Sequence, residues 1–172
     1  PMYQANEKYT LADRKPYHYD NSYSIIYQDA MSFGVKATIR GKFSDSFYID
    51  AFAKVNAYSF DALKAKERNL PLFTSALSAS YRLLPQWNIG TSFYYVGERK
   101  DIAHTLPTLE AKELTLDGFF DLNFSTDYTF LKRWTAFVDL SNVTGQHYQR
   151  WTSYPVQGFQ FLVGVKYRFN VK

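Results

Sequence analysis

The fold is decided by a stretch close to the C-terminus, which reads Phe159-Gln160-Phe161-Leu162-Val163-Gly164-Val165-Lys166-Tyr167-Arg168-Phe169. Side chains alternate across a β-strand, so this stretch presents two different faces. One face carries two cations, and the other is a row of apolar side chains only: Phe159, Phe161, Val163, Val165, Tyr167 and Phe169. Such a uniformly apolar face predicts a strand that faces lipid.

The composition is compatible with strands that alternate in this way. The chain has 172 residues, of which 46% are hydrophobic and 19% aromatic, and its mean hydropathy is -0.36. Membrane strands hide their apolar residues in alternation and therefore look hydrophilic on average. No apolar run approaches the roughly 18 to 20 residues that a transmembrane helix needs, so a helical membrane protein is excluded.

The charge, the cysteine content and the first residues limit the classes of partner and site that the chain can have. The formal net charge is +4, but Lys and Arg are spread along the chain instead of forming a basic stripe, which argues against a nucleic-acid partner. The absence of cysteine excludes a disulfide scaffold and a Cys-type metal site. The start at Pro1-Met2-Tyr3 does not resemble a signal peptide, so we expect either a processed chain or a piece of a longer protein.

The two-residue period recurs along almost the whole chain. It predicts seven strands, which cover residues 22–43, 47–58, 73–83, 87–98, 114–128, 134–141 and 159–169. No charged residue interrupts the apolar row of 31–43 or that of any of the other six segments. Many of these runs exceed the globular mode of about five or six residues and match the 9 to 11 that cross a bilayer at a tilt. A soluble sandwich also keeps charge off one face, so strand length is the better discriminator.

The connections alternate between short and long. Residues 44–46, 84–86 and 131–133 are tight turns, whereas 61–72, 99–113 and 144–158 are long polar segments. This alternation is typical of periplasmic turns and extracellular loops. Aromatic residues flank each short turn and predict a girdle at headgroup depth: Phe43, Phe47, Tyr81, Trp87, Phe130 and Trp134.

The predicted fold class is therefore all-β, with antiparallel transmembrane β-barrel strands in a meander of seven or eight. Barrels of a single bacterial chain have even strand numbers. We therefore interpret residues 22–172 as the C-terminal portion of a larger barrel, and residues 1–21 as an extracellular loop or a partial strand, with 8–11 as the candidate. An eighth strand there would instead make a complete small barrel with a structural or adhesive role. A soluble all-β binding module is the third alternative.

Several motifs resemble those of TonB-dependent outer-membrane receptors. Val138-Asp139-Leu140-Ser141-Asn142-Val143-Thr144 with His147-Tyr148 looks like the penultimate strand and loop of that family. Tyr154-Pro155-Val156-Gln157-Gly158 and the strand that follows are similar to its last loop and strand. Upstream, Tyr81-Arg82-Leu83, Trp87-Asn88-Ile89 and Tyr95-Val96-Gly97-Glu98-Arg99 also fit its barrel.

This resemblance implies about seven final strands of a 22-stranded barrel that takes up scarce nutrients, such as metal chelates or glycans. It also implies the outer membrane of a Gram-negative-type bacterium as the location. The implied partners are the lipid bilayer, the outer-membrane assembly machinery and the remainder of the receptor, namely a plug and upstream strands, which this sequence does not contain. The last strand would be the assembly signal, through Phe161, Val163, Val165, Tyr167 and Phe169, although Asn170-Val171-Lys172 follow the usual terminal aromatic.

The polar rows carry charges of both signs that we expect to face the lumen: Lys36, Arg40, Asp50, Lys54, Arg82, Asp117, Asp121 and Asp139. One interpretation is a charged lumen that guides substrate or holds a plug. We favour a hydrated wall whose charges pair across strands. The near balance of the two signs argues against a selective ion pore.

The last long loop supplies candidates for ligand contact, because recognition residues often lie on loops of a rigid scaffold. These are Tyr148, Arg150, Trp151 and Tyr154, for which an aromatic belt or loop packing is the simpler alternative. The histidines are scattered, so no metal site is predicted. We find no pairing of nucleophile and base and no phosphate loop, so we predict neither a cofactor nor enzyme activity.

Overall fold

The computed structural model of the chain describes residues 2–5, 23–26, 29–60, 68–105 and 110–169. Among these residues it contains thirteen β-strands, and no helix is long and apolar enough to span a membrane. The strands are β1 (Met2–Ala5), β2 (Tyr23–Ile26), β3 (Ala30–Lys42), β4 (Phe47–Phe60), β5 (Phe73–Leu84), β6 (Trp87–Val96), β7 (Arg99–Thr105), β8 (Glu110–Leu116), β9 (Phe119–Phe130), β10 (Trp134–Ser141), β11 (Gln149–Trp151), β12 (Tyr154–Pro155) and β13 (Gln160–Tyr167).

Within the described residues, seven of these strands form one antiparallel sheet, which we call the main sheet. Its order is β13-β10-β9-β6-β5-β4-β3, and neighbours in this order are also successive along the chain apart from two inserted hairpins. The predicted number of sheet strands is thus confirmed. β3 and β13 are the two edges and do not pair with each other, so the main sheet is open.

The register places the apolar rows of all these strands on the same face, which we call the apolar face. Directly paired residues point to the same side of an antiparallel ladder. One row crosses the whole sheet through Gly41, Ile49, Ala79, Thr91, Phe124, Leu140 and Phe161. The next row on the opposite, polar face crosses it through Lys42, Tyr48, Ser80, Gly90, Ser125, Asp139 and Leu162.

The apolar face is uncharged and uncovered throughout the described residues. Its large side chains are exposed at both sheet edges, with 72% exposure for Phe33 and 70% for Phe161. Its two mid-strand threonine hydroxyls are hydrogen-bonded: Thr91 donates to the carbonyl of Asn123 (3.1 Å), and Thr126 accepts from the Trp87 indole (2.8 Å). A polar group that is satisfied within the sheet avoids most of the cost of contact with lipid.

Aromatic rings line both ends of the apolar face. At the end with the tight turns, ring centroids lie 4.7 to 6.4 Å apart in contacts that join Phe43, Phe47 and Tyr81, then Trp87 and Tyr128, then Phe130, Trp134, Tyr167 and Phe169. At the loop end, Phe73 contacts Tyr95 and Phe93 contacts Phe120. Tyr81 and Phe73 are separated by about 27 Å of strand at about 3.4 Å per residue. This distance is comparable with the height of the apolar band on outer-membrane barrels, which is roughly 25 Å.

The segment 22–43 differs from the single long strand that its periodicity predicts. Tyr23–Ile26 pairs with Met2–Ala5 in a separate small sheet, and Ala30–Lys42 pairs with β4 in the main sheet. The prediction of one strand was wrong because a two-residue period records the alternation of side chains and not a change of partner. The candidate strand at 8–11 lies outside the described residues, and β1 lies within the predicted segment 1–21.

Two of the long predicted loops contain hairpins. Val96 lies opposite Phe119 and Arg99 lies opposite Leu116, so the β7–β8 hairpin continues the β6–β9 register beyond a two-residue break in each strand. At this break the amide of Gly97 donates to the carbonyl of Phe73, at the start of β5 (2.9 Å). The second hairpin, β11–β12, is short and lies in the loop that precedes β13.

Candidate functional site

The loops gather at the loop end of the polar face around a small hydrophobic core. This core consists of Val96, Phe119 and Tyr148, with Val156 packed against it. The Tyr148 ring stacks on the Phe119 ring at 3.8 Å between centroids and an interplanar angle of 8°. Because Val96 is the last residue of β6 and Phe119 the first of β9, this stack joins the last long loop to the sheet.

The hydroxyl of Tyr148 is held by a carboxylate of the sheet. It donates to Asp121 Oδ2 at 2.6 Å. Burial raises the pKa of Tyr148, and the hydrogen bond to Asp121 raises it further, while the nearby Arg150 opposes both effects. Tyr148 therefore packs inside the loop core and points its polar end at the polar face of the main sheet.

Asn142 fixes the path of the chain as it leaves β10. Its side-chain amide donates to the carbonyls of Gln146 (2.9 Å) and Gln157 (3.2 Å), and its Oδ1 accepts from the amide of Gln146 (3.1 Å). Its backbone amide donates to Asn123 Oδ1 on β9 (2.9 Å). Its φ of +48° is a left-handed conformation that Asn adopts more readily than most residues.

Arg99 is the most buried cation of the described residues, with 5% exposure. Its guanidinium lies over the Phe119 ring at 5.0 Å, and its Nη2 donates to the carbonyl of Gln149 at 2.9 Å. Burial lowers the pKa of Arg99, and Asp101 and Tyr94 offset part of that effect. Asp101 itself accepts from the amide (3.2 Å) and the hydroxyl of Thr152, which fastens the β11–β12 hairpin to β7.

A cavity of about 370 Å³ opens beside this cluster. Asn69 forms one wall, where its amide nitrogen donates to the carbonyl of Arg150 (3.0 Å) and its backbone amide to the carbonyl of Lys100 (2.6 Å). The full lining is Asn69, Pro71, Tyr94, Val96, Arg99, Phe119, Arg150 and Trp151. Three separate loop segments therefore converge on one concave site, which we call the loop cavity.

The structure separates the four residues predicted for ligand contact. Arg150 and Trp151 line the loop cavity. Tyr154 pairs with Trp151 across the β11–β12 hairpin and is 72% exposed, whereas Tyr148 is buried. Arg99 and Asn69 were missed, because a period-two pattern contains no information about which loop residues converge. Among the described residues, no three His, Cys, Asp or Glu side chains come together in a way that could hold a metal ion.

The register places most of the predicted lumen charges on the polar face: Lys36, Arg40, Asp50, Lys54, Arg82, Asp121 and Asp139. Arg40 and Asp50 lie opposite each other and form an ion pair at 2.7 Å. Lys36 instead lies opposite Lys54, and its ammonium lies over the Phe52 ring at 4.6 Å. The eighth predicted residue, Asp117, is exposed in the break between β8 and β9.

No protein-family model matches the chain. Its structure is nevertheless similar to solved structures of outer-membrane receptors. For the ferripyoverdine receptor of the outer membrane of Pseudomonas aeruginosa, the TM-score is 0.73 at 14% identity, over 96% of this chain and 23% of that chain. For the ferric-catecholate import receptor Fiu of E. coli K12, the TM-score is 0.69 at 13% identity, over 88% of this chain and 23% of that one.

A third similar structure is the copper transporter OprC, with a TM-score of 0.64 and 14% identity over 83% of this chain and 24% of that chain. This chain spans about a quarter of the length of the receptors it matches. At such identities the likeness establishes the fold. The main sheet has the fold of part of an outer-membrane receptor barrel, which confirms the predicted fold class and the resemblance at the level of fold.

Proposed function

We propose that this chain is the C-terminal part of the barrel of a TonB-dependent-type outer-membrane receptor for nutrient uptake. The observation that carries the proposal is the uncharged, uncovered apolar face that extends across every strand of the main sheet. An apolar surface of this extent marks contact with a membrane or a partner. The aromatic rings at both of its ends correspond to the two interfaces of a bilayer.

The location of the buried residues argues against a soluble sandwich. A sandwich would bury its apolar rows between two sheets. Here Val96, Phe119 and Tyr148 form the buried core on the side of the polar face, while the apolar rows of the described strands have no layer over them. A complete eight-stranded barrel would require a strand from residues 1–21 to pair with both β3 and β13. The described strand of that segment, β1, pairs with β2 in a separate sheet, and the described main sheet is open.

In the proposed orientation, the two faces of the main sheet have different surroundings, lipid on one side and an aqueous lumen on the other. The apolar face contacts lipid, and the polar face, with Arg40, Asp50, Lys54, Asp121 and Asp139, lines a lumen. The tight turns point to the periplasm, and the loop cavity opens on the extracellular side. In this arrangement β13 is recognised by the outer-membrane assembly machinery, and plug and upstream strands complete the receptor.

For the substrate we propose a metal chelate in preference to a glycan. The similar structures include a receptor bound to ferripyoverdine, an import receptor for ferric catecholates and a copper transporter. The loop cavity supports a small solute, since about 370 Å³ lies within the usual range of 300 to 1,000 Å³ for ligand pockets.

Growth under metal limitation tests the proposal directly. The natural gene is deleted in its host, and the deletion strain is compared with the complemented strain on a panel of ferric siderophores, copper chelates and oligosaccharides as sole sources. We expect the deletion to abolish growth on at least one metal chelate and complementation to restore it. Equal growth of both strains on every chelate would contradict the proposed uptake, and a defect confined to oligosaccharides would move the substrate to the glycan class.

A further inference from the structure

We infer that the loop cavity is a subsite for a carboxylate group of the transported solute, held by Arg99 and Arg150 between aromatic walls. This inference rests on the proposed function, because it assumes that an extracellular solute reaches the loop end of the barrel. It adds a chemical requirement to that function: the solute carries a carboxylate beside a planar, apolar part.

The first argument is the unused hydrogen-bonding capacity of Arg99. This side chain is 95% buried, and a guanidinium has five N–H donors in a fixed fork. Nη2 donates to the carbonyl of Gln149, whereas Nε has no hydrogen-bond partner among the described residues. A buried donor without a partner is costly, and a bound oxyanion that accepts from it would remove that cost.

The second argument is the charge of the lining. Arg99 and Arg150 both line the loop cavity, and none of its described lining residues is Asp or Glu. Asp101 lies outside the lining and offsets part of the effect of burial on the pKa of Arg99. Asp101 and Asp121 already accept hydrogen bonds, from Thr152 and from the Tyr148 hydroxyl. The described lining itself therefore carries two cations and no anion, which favours a bound anion.

The third argument is the shape and polarity of the walls. Tyr94 and Trp151 are exposed in the lining and supply flat apolar surfaces, so the pocket suits a planar ligand. Asn69 Oδ1 is buried without a partner among the described residues and adds a hydrogen-bond acceptor on the same lining. A ligand with an N–H or O–H donor close to its carboxylate satisfies both kinds of unused group.

Hippurate is a suitable probe because it combines a carboxylate, an amide N–H and an aromatic ring. Its neutral primary amide, N-benzoylglycinamide, has the same shape without the charge. The purified full-length protein in detergent is titrated with each compound, and binding is followed by saturation-transfer NMR. We expect hippurate to bind at least tenfold more tightly than the amide.

Two variants locate the binding. Arg99→Gln and Arg150→Gln should each weaken hippurate binding about tenfold and leave the weak binding of the amide unchanged. Arg133→Gln is the matched control, because Arg133 is exposed in the turn at the opposite end of the sheet. Heat-modifiable mobility on a gel reports folding, and if the buried Arg99 variant does not fold, the exposed Arg150 variant decides the question.

Equal binding of hippurate and its amide, or unchanged hippurate binding in folded Arg150→Gln, would overturn the inference. Tighter binding of inorganic phosphate than of hippurate would also overturn it, since that result would indicate a lipid or free phosphate. The growth experiment remains separate. If hippurate binds as expected but the two strains grow equally on every chelate, the uptake proposal fails and the carboxylate site stands. If the deletion abolishes growth on a chelate but hippurate does not bind, the carboxylate site fails and the uptake proposal stands.

Discussion

At the scale of the residue, Asn142 determines the path of the loop that carries the candidate site. Its amide group is bonded to backbone atoms at both ends of that loop, at Gln146 and Gln157, and it is only 4% exposed. Loss of this side chain would remove its three hydrogen bonds to the backbone of Gln146 and Gln157, each worth about 0.5 to 1.5 kcal/mol. The loop core would then lose its support while the sheet remains paired.

We therefore expect Asn142→Ala to increase hydrogen exchange and protease cleavage across residues 143–157 without changing the exchange of the main sheet. Asn142→Gly is the matched control, since it keeps the left-handed backbone but lacks the amide. Both variants should loosen the loop if the amide is what matters. A tight loop in Asn142→Gly would show that backbone strain, and not hydrogen bonding, is responsible.

The raised pKa of Tyr148 predicts that the same loop loses stability at alkaline pH. Burial and the bond to Asp121 raise the pKa of Tyr148, so its protonated form is favoured by the folded loop. A pKa raised above the unfolded value of about 10 gives stability that is present at lower pH and lost as the pH rises through the folded value. Protease sensitivity of the loop should therefore increase above about pH 10.

Tyr148→Phe should be somewhat less stable at neutral pH, because Asp121 loses its hydroxyl partner, but it should lack this contribution to the alkaline decline. The measurement is the difference between the two proteins in cleavage of residues 143–157 from pH 8 to pH 11. An equal alkaline decline in both would assign the effect to another group.

Gly164 shows a steric requirement on the polar face. A Cβ at this position would lie 2.5 Å from Phe137 Cζ, because the Phe137 ring lies across the glycine. Lys166 is placed over the same ring at 4.5 Å. We expect Gly164→Val to displace the ring and to cost about 1 to 3 kcal/mol of unfolding free energy.

Gly41→Val is the matched control, since the nearest atom to a Cβ there is on the Phe43 ring at 3.9 Å. Unfolding in denaturant, followed by tryptophan fluorescence, compares the two variants. Adding Phe137→Ala to Gly164→Val should recover part of the loss. A cost as large for Gly41→Val would show that the glycine effect is conformational and not steric.

At the scale of the element, the sequence predicted the strands well and the loops poorly. The rows beginning at Met31, Phe47 and Trp134 appear in the structure as predicted, because each strand has one charged or polar side and one apolar side. The strand break at Gly97 leaves that alternation undisturbed, so it could not be predicted. The partner change after Ile26 did leave a signal, because Asp29 shares the apolar phase of Ile25 and Met31. The loop cavity, with Arg99 in its lining, depends on the convergence of three loop segments, which the periodicity does not describe.

The alternation in β13 gives a prediction for neighbouring positions. Val163→Arg places a charge near the middle of the apolar face, where lipid contact costs about 2 to 4 kcal/mol. Leu162→Arg, one residue earlier, lies on the polar face opposite Asp139 and should be tolerated. The amount of folded protein in isolated outer membranes measures the difference.

We expect the level of the Val163→Arg variant to fall severalfold while that of the Leu162→Arg variant stays close to the natural one. Equal levels would mean that the two faces of β13 meet similar surroundings, contrary to the proposed orientation.

At the scale of the whole molecule, the main sheet is polarised in two directions. Across its thickness, the uncharged apolar face is opposed to a face that carries Lys36, Lys54, Asp127 and other charges. Along its strands, tight turns at one end are opposed to hairpins and a loop core at the other. A bilayer with two different aqueous sides accounts for both polarities. A soluble sandwich also keeps charge off one face, but it would cover that face with a second sheet, and the described residues place none there.

Solubility is the corresponding prediction for the whole protein. Because the apolar face is uncovered, we expect the protein to aggregate in plain buffer and to be monodisperse in detergent, as judged by size-exclusion chromatography with light scattering. A stable monodisperse monomer in plain buffer would favour the soluble binding module.

A cysteine scan of β13 tests most directly whether the apolar face contacts lipid, and the absence of cysteine from this chain simplifies it. Positions 160–167 are spin-labelled one at a time in outer membranes, and each label is tested for collision with oxygen, which partitions into lipid, and with a water-soluble nickel complex. We predict that residues 161, 163 and 165 collide mainly with oxygen, and that 160, 162, 164 and 166 collide mainly with nickel. Collision rates that do not alternate every two residues, or that alternate in the opposite phase, would contradict lipid contact of the apolar face.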